Sequence, residues 1–559
     1  MGVTTQPDTY FGAMLWSVTT SRSLLAEATA ALDGGDWASA RSLLTAALAL
    51  EDHPDIRYQL ARAEEWGADY EAAVRHYEQA FAGYRRRGEV RRPALIAGRE
   101  LAFLHAAVYG NGAVAEGWLA RAHRLVDEAG DCVEHGWVAL ADALSTGDVD
   151  AMADHVRRAT TVAHRFDDDD LRFCALGYEG LILVLRGQIT EGIRLVDEAA
   201  TAATCGEVRD YLTAGEIYCK MLLCCELTLD VHRAQQWIAV ATDFDRRENV
   251  PWVSAICRTY YGGILTAAGR WDEAEVELST ALQRYDRSYR ALRSSAMVRL
   301  ADLRVRQGRL DEARRLLSGF EFDSYAVRPL ARLHLACGEP ELALVLLRRF
   351  LGSAGTGPLQ APELALLVEA EIAAGNIDGA RVSCDQLTQV ADVNYTQALA
   401  HHAAGLVCVA SGDERALEQF ERALPLFTLA GLRLEAARTR MAIARLLAST
   451  NPVVATAEAR SALSTFDELS AALDAHEAAR FLRARGDHHR AAPRTPGSLS
   501  KREDEVLREL CEGRTNEQIA ERLFISKRTV EHHVSSILEK LGASSRAEAV
   551  AHALRHPAE

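Results

Sequence analysis

The chain has 559 residues, 48% hydrophobic and 25% charged, the balance of a folded protein long enough for several domains or one repeat array. No run of eighteen apolar residues occurs, and the first 20 residues lack the basic start and apolar core of a secretory signal. The expectation is therefore a cytoplasmic protein without a membrane span. The formal net charge is −16, yet residues 499–556 hold ten Lys/Arg against ten Asp/Glu, so nearly all the negative charge lies upstream. That acidic body is a poor surface for phosphates, and any contact with DNA falls to a small module.

Residues 1–20 read as an N-terminal extension, and residues 21–484 as a helical repeat region. Gly35-Asp-Trp37-Ala-Ser-Ala40 is echoed at Gly269-Arg-Trp271-Asp-Glu-Ala274, Gly308-Arg-Leu310-Asp-Glu-Ala313, Gly338-Glu-Pro340-Glu-Leu-Ala343 and Gly375-Asn-Ile377-Asp-Gly-Ala380. From Gly269 onward these echoes recur every 30 to 39 residues. An apolar residue at +4 and a second alanine at +7 follow the first alanine, as in Ala40/Leu44/Ala47, Ala73/Tyr77/Ala80, Ala274/Leu278/Ala281 and Ala416/Phe420/Ala423. That spacing lines one helical face, and its small residues admit a neighbouring helix closely. The preceding glycine ends the previous helix in a tight turn. Weaker versions lie near Ala115, Met152, Gly192 and Ala234.

This pattern resembles tetratricopeptide repeats. The resemblance implies about ten stacked helix pairs in a right-handed superhelix with a concave groove for a partner. An irregular all-helical bundle is the alternative, and both are all-α. The Trp, Tyr and Leu stripes read as core.

Other features of the region read as structural. Eleven cysteines are scattered without a Cys-x-x-Cys pair, and Cys219, Cys224 and Cys225 read as buried thiols. The run Asp167–Asp170 lacks the alternating ligands of a calcium loop and reads as a solvated helix start. The pairs His401-His402 and His488-His489 read as surface residues, because neighbours on a helix point about 100° apart. No metal or other cofactor is expected.

Residues 485–498, RGDHHRAAPRTPGS, carry two prolines and a glycine without apolar periodicity, and read as a linker. The module that follows covers residues 499–556. Ser500 and Glu503 have capping-box spacing at the start of a helix that carries Val506, Leu507 and Leu510 and ends at Gly513. A short helix, Asn516 to Leu523, places Ile519, Ala520 and Leu523 inward, and Phe524-Ile525 makes the turn. Ser526 caps a third helix running to Leu541, with Val530, Val534, Ile537, Leu538 and Leu541 on its inner face and Gly542 beyond its end. A fourth helix, Arg546 to Arg555, is expected to bury Ala547, Val550, Ala551 and Leu554.

A short helix, a tight turn and a capped longer helix make a helix-turn-helix unit. Lys527, Arg528, Thr529, Glu531, His532 and Ser535 lie near the start of the longer helix and off its core positions. Such positions reach base edges in the major groove, and the helix start favours phosphate.

The module resembles the LuxR-type helix-turn-helix of bacterial regulators. The matching residues are Leu499-Ser500-Lys501-Arg502-Glu503, Gly513-Arg514-Thr515-Asn516-Glu517-Gln518-Ile519-Ala520, Ser526-Lys527-Arg528-Thr529-Val530-Glu531-His532-His533, Lys540-Leu541 and Ser545-Arg546-Ala547-Glu548-Ala549. The resemblance implies base contacts from Glu531, His532 and Ser535. It implies phosphate or groove-edge contacts from Lys527, Arg528, Thr529, Lys540 and Arg546, places Thr515 and Asn516 close to the DNA backbone, and lets the fourth helix pair two copies. His533 belongs to the motif with packing, phosphate contact and base reading all open. Glu531 departs from the basic residue often found at its place. It either accepts from cytosine N4 or pairs with Arg528.

The chain lacks the α/β pattern of a receiver domain, and no Gly-Lys pair of a Walker loop occurs. It resembles the repeat and DNA-binding half of the large LuxR-type regulators without their ATPase. The leading expectation is a DNA-binding transcription regulator, expected to be a homodimer because one module reads few base pairs, whose repeats hold a peptide, protein or small-molecule effector. The competing expectation is an interaction scaffold whose terminal domain docks a protein. No hydrolase or metalloprotease motif points to an enzyme.

Overall fold

The structure is a computed structural model describing residues 8–248, 255–286, 288–354, 357–487, 499, 501–523, 525–541, 543 and 545–555. The described residues form helices and turns, and they divide into two compact units, Met1–Ala478 and Ala479–Glu559.

The larger unit is a succession of helix–turn–helix pairs, each packed on the next. Pro54–Trp66 pairs with Tyr70–Arg86, Asp169–Leu185 with Ile189–Cys205, Ala255–Ala268 with Trp271–Tyr285, and Asn394–Ser411 with Ala416–Leu429. The alanine, +4 apolar, +7 alanine pattern is the seam of these pairs. Ala274, Leu278 and Ala281 are fully buried, as are Ala73, Tyr77 and Ala80. Close approach is built in on the facing helix, where a Cβ on Gly262 would meet Leu278 Cγ at 2.6 Å. Gly308 ends the helix Arg293–Gln307 with φ of +80°, a conformation that side-chain-bearing residues adopt at a cost. The unit is thus the tetratricopeptide-like α-solenoid the pattern predicts.

Residues distant in sequence also meet, so the array coils back on itself. Tyr211 Oη donates to the Asp33 carbonyl at 2.7 Å, and the Tyr289 ring lies 5.5 Å from Tyr70 and 5.2 Å from Phe103. Asp210 accepts from Arg62 at 3.4 Å and also pairs with Arg99, whose guanidinium lies 4.3 Å from the Trp137 ring centre. Further on, Asp302 takes Arg306 at 3.0 Å and Arg332 at 2.6 Å, while Arg306 also reaches Glu435 at 2.9 Å. Those guanidiniums hold the Asp302 carboxyl well below the usual range despite its burial. Each buried charge here has a partner, as the cost of an unpaired one requires.

His402 departs from its expected surface position. Its ring packs 5.5 Å from Phe420 and 6.0 Å from Phe427, and its Nδ1 lies 2.9 Å from Thr439 Oγ1. Burial, with Arg438 nearby, lowers its pKa to about 4. His401 is half-buried as well, with its Nδ1 2.9 Å from Gln419 Oε1, so neither member of the pair stands fully on the surface. In the acidic run, Asp168 caps the next helix by accepting from the Leu171 N–H at 2.8 Å, and Asp170 accepts from the Arg209 N–H at 2.7 Å. His488, His489 and linker residues 488–498 lie outside the described residues.

Candidate nucleic-acid interface

The smaller unit contains the helices Lys501–Cys511, Asn516–Leu523, Lys527–Leu541 and Arg546–Arg555, referred to below as its first to fourth helices. Val506, Leu507 and Leu510 of the first, Ile519 and Ala520 of the second, Val530 and Ile537 of the third and Ala549 of the fourth make one buried cluster. Leu499, Leu523, Ile525, Val534, Leu538 and Leu541 pack around it. Ser500, Phe524 and Gly542, read above as cap, turn and stop, lie outside the described residues.

The fourth helix is rotated from its expected orientation. Ala549 is fully buried and Val550 and Ala553 pack on the core, whereas Ala547 is exposed. An alanine-rich helix offers two similar faces to periodicity, and here Arg546 selects between them. Its Nη1 donates to Asn516 Oδ1 at 3.2 Å, and its Nη2 donates to the Arg514 carbonyl. The side chains of Ala551 and Leu554 are outside the described residues.

Both helices of the helix-turn-helix begin with side-chain caps. Gln518 Oε1 accepts from the Thr515 N–H at 2.9 Å and Thr515 Oγ1 accepts from the Gln518 N–H at 3.4 Å, a reciprocal box. Ser526 Oγ accepts from the Thr529 N–H at 3.1 Å and lies 2.7 Å from the Thr529 hydroxyl. Behind the third helix, Ser536 donates to Glu503 at 2.6 Å, tying it to the first. Glu509 gathers Arg514 and, at 3.1 Å, Arg522. Arg502 donates to the Leu523 carbonyl at the turn. The Thr515-x-x-Gln518 box went unread in the sequence, although its capping spacing was the signal that could have shown it. The roles of Glu503, Glu509 and Arg502 depend on tertiary neighbours.

With its inner face fixed, the third helix turns Lys527, Arg528, Thr529, Glu531, His532 and Ser535 to solvent. Lys527 Nζ lies 2.7 Å from Glu517 of the second helix, which raises the lysine's pKa and lowers the carboxyl's. Arg528 and Glu531 are exposed and, among the described residues, do not pair with each other. The His532 ring lies 6.3 Å from that of half-buried His533, and Ser535 Oγ donates back to the Glu531 carbonyl at 3.0 Å. Thr515 is exposed, Asn516 and Arg546 are half-buried together, and the Lys540 side chain lies outside the described residues. The structure therefore gathers Lys527, Arg528, Thr529, Glu531, His532 and Ser535 on one exposed face beside the start of the second helix. Arg546 stands apart, committed to bracing the unit.

Residues 497–553 match the model of bacterial regulatory proteins, luxR family. The spore germination protein GerE of Bacillus subtilis is 46% identical over 57 residues, which are 10% of this chain and 77% of GerE. The chain belongs to the LuxR family of bacterial regulatory proteins. Its C-terminal unit is a LuxR-type helix-turn-helix that binds DNA. A putative HTH-type transcriptional regulator of Mycobacterium tuberculosis is 44% identical over 86 residues, 15% of this chain. The match spans only 10% of the length of that relative. Among solved structures, a chain of the APC/C hetero-tetramer Cut9–Hcn1 aligns with 84% of this chain and 99% of its own length, at 14% identity and a TM-score of 0.46. This LuxR-family chain thus carries its family signature in about a tenth of its length, behind a long helical array.

Proposed function

We propose that this LuxR-family chain is a sequence-specific transcription regulator whose helical array, residues 21–484, binds an effector and sets how residues 499–556 engage DNA. The exposed face of the third helix carries the reading. Arg528, Glu531 and His532 stand on that face at the end of the helix that enters the major groove in helix-turn-helix domains. Glu531, His532 and Ser535 are assigned to base edges. Lys527, Arg528, Thr529 and Lys540 are assigned to phosphates or the groove edge. Thr515 and Asn516 lie near the DNA backbone, and Arg546 adds a phosphate contact through whatever donor capacity its brace leaves. Base reading by Glu531 would take cytosine N4 as donor.

Two copies acting as a homodimer double the base pairs read. The reading assigns no catalytic reaction and places the protein in the cytoplasm. Cross-array contacts such as Arg99 with Asp210 and Tyr70 with Tyr289 fill inner space with the protein's own side chains. This favours a small molecule over an extended peptide or a protein. A cleft of about 390 Å³ lined by His123, Cys132, His135, Asp142, Arg158 and Val162 has the size of a small-ligand site.

Selection of random DNA duplexes by the full-length protein tests the reading. Enrichment of a two-half-site motif whose base preferences change in Glu531→Gln supports it. Binding without enrichment contradicts it and favours the interaction scaffold.

A further inference from the structure

Two thiols in the array lie closer together than packing alone requires. Cys219 is on the helix Tyr211–Thr228 and Cys257 on the helix Ala255–Ala268, and their sulfurs are 3.1 Å apart. A disulfide has sulfurs about 2.05 Å apart, so bond formation needs an approach of about 1 Å. Cys257 is only 3% exposed, whereas Cys219 is half-buried and is the sulfur an oxidant reaches first.

The surrounding cysteines are placed differently. Burial pushes Cys224 up to about 12 and raises Cys225, which contacts the Met221 thioether at 3.7 Å. Burial also pushes Cys384 up to about 11 and raises Cys174 well above the usual thiol range. Cys205 is exposed, but its sulfur lies 3.2 Å from the Glu207 carboxylate rather than beside a second thiol.

We propose that Cys219 and Cys257 are a peroxide-sensitive dithiol that closes reversibly to a disulfide. Hydrogen peroxide transfers one oxygen to the Cys219 sulfur, giving the sulfenic acid and releasing one water. The Cys257 thiol then gives up its proton as its sulfur attacks that sulfur, the S–OH bond breaks, and the departing hydroxide leaves with that proton as a second water. Two thiols have lost two electrons and peroxide has gained them. A cellular dithiol reductant reverses the bond by exchange.

The bond spans a sequence separation of 38 residues and fastens the two helices to each other. The first of them starts at Asp210, which holds Arg62 and Arg99 from the beginning of the array. Oxidation thereby acts on a helix that also anchors the cross-array contacts.

Treating the full-length protein with increasing hydrogen peroxide, alkylating residual thiols and mapping peptides by mass spectrometry tests this. A Cys219–Cys257 linked peptide should form before the other thiols lose alkylation, and dithiothreitol should remove it. In Cys257→Ala, Cys219 should accumulate as a sulfenic acid trapped by dimedone. Full alkylation of both residues while other cysteines oxidise would overturn the proposal. So would conversion of wild-type Cys219 to sulfinic acid without a link. The wild-type map remains decisive even if the variant fails to fold.

Discussion

Arg546 sits at the join between the fourth helix and the start of the second, and its two donors fix both. Removing it leaves the Arg514 carbonyl and Asn516 without that partner and frees the fourth helix to rotate. Hydrogen bonds from charged groups contribute about 1.5–3 kcal/mol, so Arg546→Ala should destabilise the C-terminal unit by about 1–3 kcal/mol after partial exposure is discounted. Hydrogen exchange should quicken in residues 514–523 and 545–555, while the array is unchanged. Titration gives a second residue-level test. His402 is held neutral, at about 4 against its ordinary 6.5, by burial and by Arg438, with Glu435 opposing. Its contribution is complete above pH 6.5 and is lost as pH falls through 4. Glu65 behaves oppositely. Burial and the neighbouring Glu100 push it up to about 8 from 4.5, against the Tyr77 hydrogen bond, Arg62 and Arg99. Its contribution is present below pH 4.5 and is lost as pH rises through 8. Urea titrations across pH should therefore show Glu65→Gln gaining on the wild type between pH 4.5 and 8. His402→Gln should flatten the loss between pH 6.5 and 4.

At the scale of elements, the array depends on repeated seams. Leu278 is fully buried between Ala274, Ala281 and the close-packed Gly262, and Leu278→Ala should cost about 2–5 kcal/mol. In a repeat protein that loss should appear in urea denaturation as a lower midpoint, with hydrogen exchange quickening first in residues 255–285. Such seams were legible because several repeats write them locally, as alanine, a large apolar residue and alanine in phase. The bounds of the second and fourth helices of the small unit were likewise readable, since apolar periodicity marks them within a short local stretch. The rotation of the fourth helix was not, because Ala547 and Ala549 are chemically alike and the choice lies with Arg546 and a carbonyl 32 residues away. The place of His402, the pairing of Glu503 with Ser536 and the coiling that brings Tyr289 to Tyr70 share that reason. Each is a contact between distant segments that no local pattern encodes. The exposed residues from Lys527 to Ser535 were legible because the core positions of their own helix define the opposite side.

For the whole molecule, charge distribution matters most. Nearly all of the −16 belongs to the array side of the chain, and the DNA-binding module is neutral. Affinity for DNA should therefore rest on few cations. Phosphate contacts from the four cations Lys527, Arg528, Lys540 and Arg546 in each copy predict a slope of about −3.6 in log affinity against log salt, doubled for two copies. A fluorescence anisotropy titration with duplex DNA from 50 to about 300 mM salt measures it. A slope near zero would mean that Lys527, Arg528 and Lys540 do not meet phosphates. The central claim, that the exposed face of the third helix reads base sequence, is tested most directly by mapping genome-wide occupancy in the source cell. The intact protein would be compared with the double variant Glu531→Ala, His532→Ala, whose side chains lie outside the core cluster. The account predicts discrete peaks sharing a motif for the intact protein, and their loss or displacement to a new motif in the variant at equal abundance. Identical peaks for the two proteins would contradict it.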